Sequence, residues 1–139
     1  MGLGLMLLLC LGGVGVFVSL YNNATAIKRS APDAVVDSFL RAYLVDRSDQ
    51  ETSLYTCKSG PNLAELSAYR ADIQSRERRF SMGIHVTWEG LKVATRGANG
   101  TVDVDLTRSI GDSEQITDRW RISIVDQDGW RVCGANKLP

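Results

Sequence analysis

The 139-residue sequence predicts an α+β domain behind a single N-terminal transmembrane helix. Three observations predict this fold class: residues 2–20 form an uncharged apolar run, apolar residues then recur at helical spacing over residues 32–80, and from Gly83 onward apolar and polar residues alternate. Helices followed by strands are typical of a domain in which an antiparallel sheet packs one face on the helices. We therefore divide the chain into a transmembrane anchor (1–21), a linker (22–31) and one domain (32–136).

The apolar run is long enough to cross a bilayer, because a spanning helix needs about 20 residues. A cleaved signal peptide is the alternative, and Ala24-Thr25-Ala26 resembles its cleavage site. No basic residue precedes the run, however, and the run exceeds a typical signal-peptide core, so we favour an uncleaved anchor. Cys10 lacks the preceding small residue of a lipobox, and we expect no lipidation there.

Two long helices are predicted in the first half of the domain. The first follows Ser30, a candidate N-cap, with Pro32 tolerated in its first turn. Its apolar residues have helical spacing: Val35, Val36, Phe39, Leu40, Tyr43 and Leu44. The second helix is predicted to begin near Ser59, which can cap it, and to direct one face inward through Leu63, Leu66, Tyr69, Ile73 and Phe80.

Four strands are predicted in the second half of the domain. Residues 84–88 and 91–95 alternate, and we expect them to be one bent strand with a break at Glu89-Gly90 rather than two separate strands. Further alternating segments follow at 101–106, 116–125 and 130–133, separated by turns that contain glycine. Short turns between successive strands predict an antiparallel meander.

Charge and motifs exclude several function classes. The chain has 16 basic and 16 acidic residues with no dominant cluster, so we expect no nucleic-acid partner. It contains no phosphate-binding loop, nucleophile elbow, dinucleotide fingerprint or metal-ligand pair. The lone histidine, His85, alternates with Ile84 and Val86 and is expected on the surface. We assign no catalytic residue, cofactor or metal.

A pocket is predicted only if the sheet curls around its concave face. Aspartates on the strands then converge with tyrosines of the helical half, and tryptophans line the same space. Aspartates that alternate with valines are also typical of a solvent-facing strand surface, and aromatic residues at helical spacing are also typical of a core, so both interpretations stay open. The candidate pocket residues are Tyr43, Tyr55, Trp88, Asp103, Asp105, Asp118 and Trp120.

The order of helix, short helix, helix and meander, ending in Asp128-Gly129-Trp130-Arg131-Val132-Cys133, resembles the nuclear transport factor 2 superfamily. The resemblance covers most of residues 32–135, and more narrowly the chain is similar to small actinobacterial membrane proteins that carry such a domain outside the cytoplasm. It implies a cone-shaped fold that opens into an apolar pocket. Ketosteroid isomerases and polyketide cyclases of this superfamily use an acid with a tyrosine or histidine there, but this chain matches no such motif residue by residue.

The domain's two cysteines, Cys57 and Cys133, fit that resemblance, which has a cysteine at each end of the fold. One disulfide needs two cysteines, and it would place the domain outside the cytoplasm. The alternative is two buried reduced thiols in a cytoplasmic domain. Lys28 and Arg29 after the apolar run favour that second topology by the positive-inside rule.

We expect a single-pass protein of the cell membrane, anchored through residues 2–20, whose non-enzymatic extracytoplasmic domain docks onto a protein or cell-envelope component. The alternative is a pocket protein that binds or converts a small hydrophobic molecule at the membrane surface. An exposed apolar patch on the sheet would favour docking, whereas a pocket with a buried, pKa-shifted acid would favour the alternative. The sequence does not decide between a monomer and a homo-oligomer.

Overall fold

The computed structural model describes residues 31–111 and 114–139. Among these residues, no helix has the length and apolar character needed to span a membrane. The predicted anchor, residues 1–21, lies outside the described residues, as do residues 22–30 of the predicted linker.

In the described part of the chain, three α-helices precede the sheet. Helix α1 (Pro32–Leu40) continues directly into a π-helical turn (Arg41–Val45), a short helix α2 spans Asp49–Thr52, and the long helix α3 spans Ala64–Phe80. Helix α1 has Ala31 as its N-cap, with no side-chain cap, while its proline occupies the first turn. The predicted apolar face of α1 is buried at Val35, Val36, Phe39 and Leu40.

Four antiparallel strands follow: β1 (Ile84–Arg96), β2 (Asn99–Ile110), β3 (Glu114–Asp126) and β4 (Trp130–Lys137). Their order in the sheet is the order in the chain, so the sheet is a meander. The predicted bend in the first strand is confirmed, because the register of β1 with β2 shifts between Glu89 and Lys92. Gly90 lies inside this bulge with φ of 69°, a left-handed conformation that glycine adopts at little cost.

The start of the long helix differs from the prediction. Helix α3 begins at Ala64, so Ser59 does not cap it. Instead, residues 55–62 run along the edge of β4, where the Cys57 amide donates to the Val132 carbonyl and the Asn62 amide donates to the Cys133 carbonyl, both at 2.9 Å. Backbone groups that pair with the sheet cannot close helical hydrogen bonds, which delays the helix.

Phe80 is also placed differently from the prediction. Leu66, Tyr69 and Ile73 are buried on the inner face of α3, but Phe80 is 53% exposed. It is the last residue of the helix, which ends at Ser81 in the left-handed region with φ of 53°. Helical spacing predicts the direction of a side chain, whereas it does not predict how far the core extends along the helix.

One hydrophobic core joins the helices to the inner face of the sheet. On the sheet side it includes alternate residues of β2 and β3, which are Val102, Val104, Leu106, Trp120, Ile122 and Ile124. This packing confirms the α+β prediction. Cys57 and Cys133 form a disulfide with their Cα atoms 5.1 Å apart, as the first of the two cysteine alternatives predicts.

Candidate functional site

A cleft lies between α3 and the inner face of the sheet, with a volume of about 360 Å³. We call it the Tyr69 cleft. Its volume is within the range of small-molecule sites. Eight residues line it: Glu65, Ala68, Tyr69 and Asp72 from α3, Arg108 from β2, Asp118 and Trp120 from β3, and Lys137 from β4.

Two aromatic side chains pack together in this cleft. The rings of Tyr69 and Trp120 meet edge to face, with centroids 5.4 Å apart and an angle of 69° between the ring planes. Both residues are buried, at 8% and 2% exposure. Aromatic pairs of this geometry are favourable.

Arg108 connects the aromatic pair to the acidic residues of α3. Its guanidinium carbon lies 5.5 Å from the centre of the Tyr69 ring, and its Nη1 donates to Asp72 Oδ2 at 2.8 Å. Asp72 also accepts from Arg76 one turn further along α3. Burial raises the pKa of Asp72, but the hydrogen bonds and charges of Arg108 and Arg76 outweigh burial and hold that pKa below its ordinary value.

The other acids of the cleft also have partners. Lys137 Nζ lies 3.3 Å from Asp118 Oδ1 in an ion pair, and the Lys137 backbone amide donates to Glu65 Oε2 at 2.8 Å. The described residues contain no group of three His, Cys, Asp or Glu side chains suited to hold a metal ion. The charges of the Tyr69 cleft therefore balance one another largely within the protein.

Three polar side-chain atoms at this cleft have no hydrogen-bond partner among the described residues. They are Tyr69 Oη, Trp120 Nε1 and Arg108 Nε, and each is buried. The one other such atom in the described ranges is Glu77 Oε1, which lies 2.6 Å from Arg47 Nη2 in an ion pair. Buried polar groups are normally hydrogen-bonded, because a missing partner costs about 1–3 kcal/mol. Their concentration in one cleft is therefore the chemically distinctive feature of the domain.

Tyr69 is a hydrogen-bond donor at neutral pH. Burial raises its pKa to about 12; Arg108 opposes the increase, whereas Asp118 and Asp72 add to it. The hydroxyl consequently keeps its proton and does not act as a general base near pH 7.

The seven residues predicted to line a pocket do not come together. Asp118 and Trp120 line the Tyr69 cleft. Asp103 and Asp105 alternate with the buried residues of β2 and lie on the outer face of the sheet, where they pair with Arg121 and Arg119. Because strand side chains alternate between faces, these two aspartates cannot share a cleft with Trp120.

The three remaining predicted residues lie elsewhere. Trp88 lines a second cleft with residues of α1 and the π-helical turn. The Tyr43 ring stacks on Phe39 at 5.6 Å and lies beneath the Arg70 guanidinium at 4.2 Å. Tyr55 is half-buried beside the core, and its carbonyl accepts from the Val132 amide on the edge of β4 at 2.8 Å.

Sequence reasoning did not assign Tyr69 or Arg108 to a site. Tyr69 has the spacing of an ordinary core residue on α3, and nothing in its spacing suggests an unpartnered hydroxyl. Arg108 carried a usable signal, because it continues the inward series Val102, Val104 and Leu106 of β2. A charged residue at an inward position needs a partner or a ligand.

No protein-family model matches the chain, and no curated protein matches it. Among solved structures, Bd1075 of Bdellovibrio bacteriovorus is similar, with a TM-score of 0.53 and 10% sequence identity. The match covers 75% of this chain and 37% of Bd1075, so the chain spans little more than a third of that protein. At this identity the likeness concerns the fold alone.

A hypothetical protein from Catenulispora acidiphila, described as having a ketosteroid isomerase-like fold and solved in complex with trimethylamine, gives a TM-score of 0.46 at 12% identity. The match covers 76% of this chain and 84% of that protein. A TM-score this low does not establish a shared fold.

Proposed function

We propose that the domain binds a small, uncharged, partly apolar molecule in the Tyr69 cleft, through an oxygen atom that accepts hydrogen bonds. The observation that carries this proposal is the concentration of unpartnered Tyr69, Trp120 and Arg108 groups there. Trp120 Nε1 and Arg108 Nε only donate, and the Tyr69 hydroxyl keeps its proton, so all three suit an acceptor. A molecule with a carbonyl or ether oxygen attached to an aromatic or aliphatic group matches these three donors.

The charges of the cleft support an uncharged ligand. Arg108 already binds Asp72, and Lys137 already binds Asp118. A charged ligand would have to compete with these pairs, whereas a neutral acceptor would use only the open donors. Because all three donor atoms are themselves buried, a ligand reaches them only when the Tyr69, Trp120 and Arg108 side chains shift.

A titration with acetophenone, a carbonyl on an aromatic ring, tests the proposal. The full chain is held in lipid nanodiscs, and the Trp120 indole N–H signal, assigned with Trp120→Phe, is followed by NMR. We expect acetophenone to shift this signal and ethylbenzene, which has a similar shape without the oxygen, to bind more weakly. Tyr69→Phe should weaken acetophenone binding roughly three- to tenfold, the value of one hydrogen bond.

Tyr43→Phe is the matched control, because Tyr43 is a buried tyrosine that does not line this cleft. It should leave acetophenone binding unchanged. Equal binding of ethylbenzene and acetophenone, or full binding by Tyr69→Phe, would contradict the proposal.

Docking onto a protein or cell-envelope component stays a prediction. We favour ligand binding because the outer face of the sheet is polar rather than apolar. Asp103 pairs there with Arg121, Asp105 pairs with Arg119, and the Thr107 and Thr117 hydroxyls share a hydrogen bond at 2.8 Å. Such a face does not supply the apolar patch that a stable sheet-mediated contact would use.

We also propose that the domain lies outside the cytoplasm, tethered through residues 2–20. The disulfide Cys57–Cys133 supports this location, because disulfides persist in oxidising compartments. Mass-shift labelling of thiols in intact cells tests it: both domain thiols should react only after denaturation and reduction. Labelling after denaturation alone would favour a cytoplasmic domain.

A further inference from the structure

A second cleft lies beside Trp88, between α1, the π-helical turn and β1. Its volume is about 380 Å³, and it shares no lining residue with the Tyr69 cleft. We call it the Trp88 cleft. Six residues line it: Asp37, Arg41, Val45, Val86, Thr87 and Trp88.

Two opposite charges in this cleft are kept from pairing with each other. Asp37 and Arg41 are four residues apart along the helix, a spacing at which an acid and an arginine commonly form an ion pair. Instead, Asp37 Oδ1 accepts from Trp88 Nε1 at 2.8 Å, and the Arg41 guanidinium carbon lies 5.8 Å from the centre of the Trp88 ring. The indole thus binds the carboxylate at its edge and the cation at its face.

Both side chains consequently keep the capacity to form further hydrogen bonds and ion pairs. Within residues 31–111 and 114–139, no ion pair reaches Asp37 or Arg41. Asp37 Oδ2 has no hydrogen bond in this part of the chain, and Arg41 is exposed. A carboxylate and a guanidinium held apart in one concave site have the donor and acceptor groups that a ligand of both charges needs.

The backbone geometry at this cleft is unusual as well. The π-helical turn begins at Arg41 and ends at Val45, and both residues line the cleft. Single π-helical turns are rare in proteins overall, but where they occur they often lie at functional sites. Val45 is 48% exposed here, and Val86 on β1 provides a second apolar side chain.

We propose that the Trp88 cleft binds a small zwitterion with an apolar side chain, of the α-amino acid class. The ligand's ammonium group binds Asp37, its carboxylate binds Arg41, and its side chain packs on Val45 and Val86. A ligand with one charge would satisfy one of the two groups and face a like charge on the other, so a zwitterion is favoured over either ion. This site does not depend on the Tyr69 cleft.

Three related probes test the proposal with the full chain in lipid nanodiscs. L-leucine carries both charges, L-leucinamide only the positive one, and 4-methylpentanoate only the negative one. Binding is followed through the Trp88 indole N–H signal, assigned with Trp88→Phe. We expect L-leucine to bind at least tenfold more tightly than either other probe.

Variants of the two charged residues complete the test. Asp37→Asn keeps an oxygen that can accept from Trp88, and Arg41→Gln removes the cation while it keeps a polar side chain. Each should weaken L-leucine binding at least tenfold, whereas Arg78→Gln, an exposed arginine outside the cleft, should not change it. Unchanged L-leucine binding by Arg41→Gln, or equal binding of the three probes, would overturn the proposal.

Discussion

Asp103 and Arg121 lie directly opposite each other on β2 and β3, and the guanidinium binds both carboxylate oxygens, at 2.8 and 2.9 Å. The hydrogen bond from Arg121 holds the pKa of Asp103 below its ordinary value. A lowered pKa in the folded state means that the pair stabilises the fold above the pKa of the unfolded aspartate, about 3.9, and that this stability is lost as the pH falls through the folded value.

Asp103→Asn should therefore flatten the acid dependence of stability. Between pH 5 and pH 2 we expect the free energy of unfolding to decrease more steeply for the wild-type protein than for the variant. Urea unfolding at a series of pH values measures this difference. Glu114→Gln, an exposed acid with no ion pair in the described part of the chain, is the control and should retain the wild-type slope.

Two phenylalanines should respond very differently to truncation. Phe39 is fully buried in the core, so Phe39→Ala should lower the free energy of unfolding by about 3–5 kcal/mol through lost contacts and a cavity. Phe80 is 53% exposed, and Phe80→Ala should change the free energy of unfolding by about 0.5 kcal/mol or less. Equal losses in urea unfolding would mean that Phe80 packs inward, as its helical spacing predicts.

Gly100 should not accept a side chain. A Cβ atom at this position would lie 3.0 Å from the Ala94 carbonyl oxygen and 3.3 Å from Ile124 Cδ1. The backbone oxygen cannot move without disturbing the β1–β2 pairing, so Gly100→Ala should destabilise the domain by about 1–3 kcal/mol. Gly83→Ala meets no atom within 4 Å and should be nearly neutral in the same thermal or urea unfolding measurement.

The sequence predicts the meander well because its signals are local. Alternation and turn glycines lie within the segments that they specify, and even the bulge at Glu89–Lys92 is visible as a broken alternation. The start of α3 depends instead on the pairing of residues 55–62 with β4. These two segments are far apart in the sequence: Cys57 and Cys133, which lie in them, are separated by 76 residues. No local pattern at Ser59 contains that information.

The candidate site was only partly accessible to sequence reasoning for a similar reason. Of the predicted residues, Asp118 and Trp120 line the Tyr69 cleft, because both point inward from β3. Asp103 and Asp105 point to the outer face instead, where each forms an ion pair with the arginine opposite it on β3. The Tyr69 cleft itself depends on how α3 crosses the sheet, a tertiary relationship that helical spacing does not encode.

Loss of the disulfide should weaken the fold substantially. Cys57 and Cys133 are separated by 76 residues, and opening a loop of this size should lower the free energy of unfolding by about 2–5 kcal/mol. The double variant Cys57→Ala, Cys133→Ala should show this loss in urea unfolding without added reductant. Wild-type protein treated with reductant should match the double variant, and a difference between them would mean that the alanines themselves disturb the packing.

The same bond determines how the domain would respond to a mechanical load. A force that pulls residue 31 away from residue 139 passes from Cys57 directly to Cys133 and bypasses the 76-residue loop between them. Only the chain on either side of that loop, mainly α1 and α2, can be drawn out while the bond is intact. Reduction would release roughly 260 Å of additional length, at ~3.4 Å per extended residue. For a domain pulled at both ends, the disulfide therefore limits how far the chain can be drawn out.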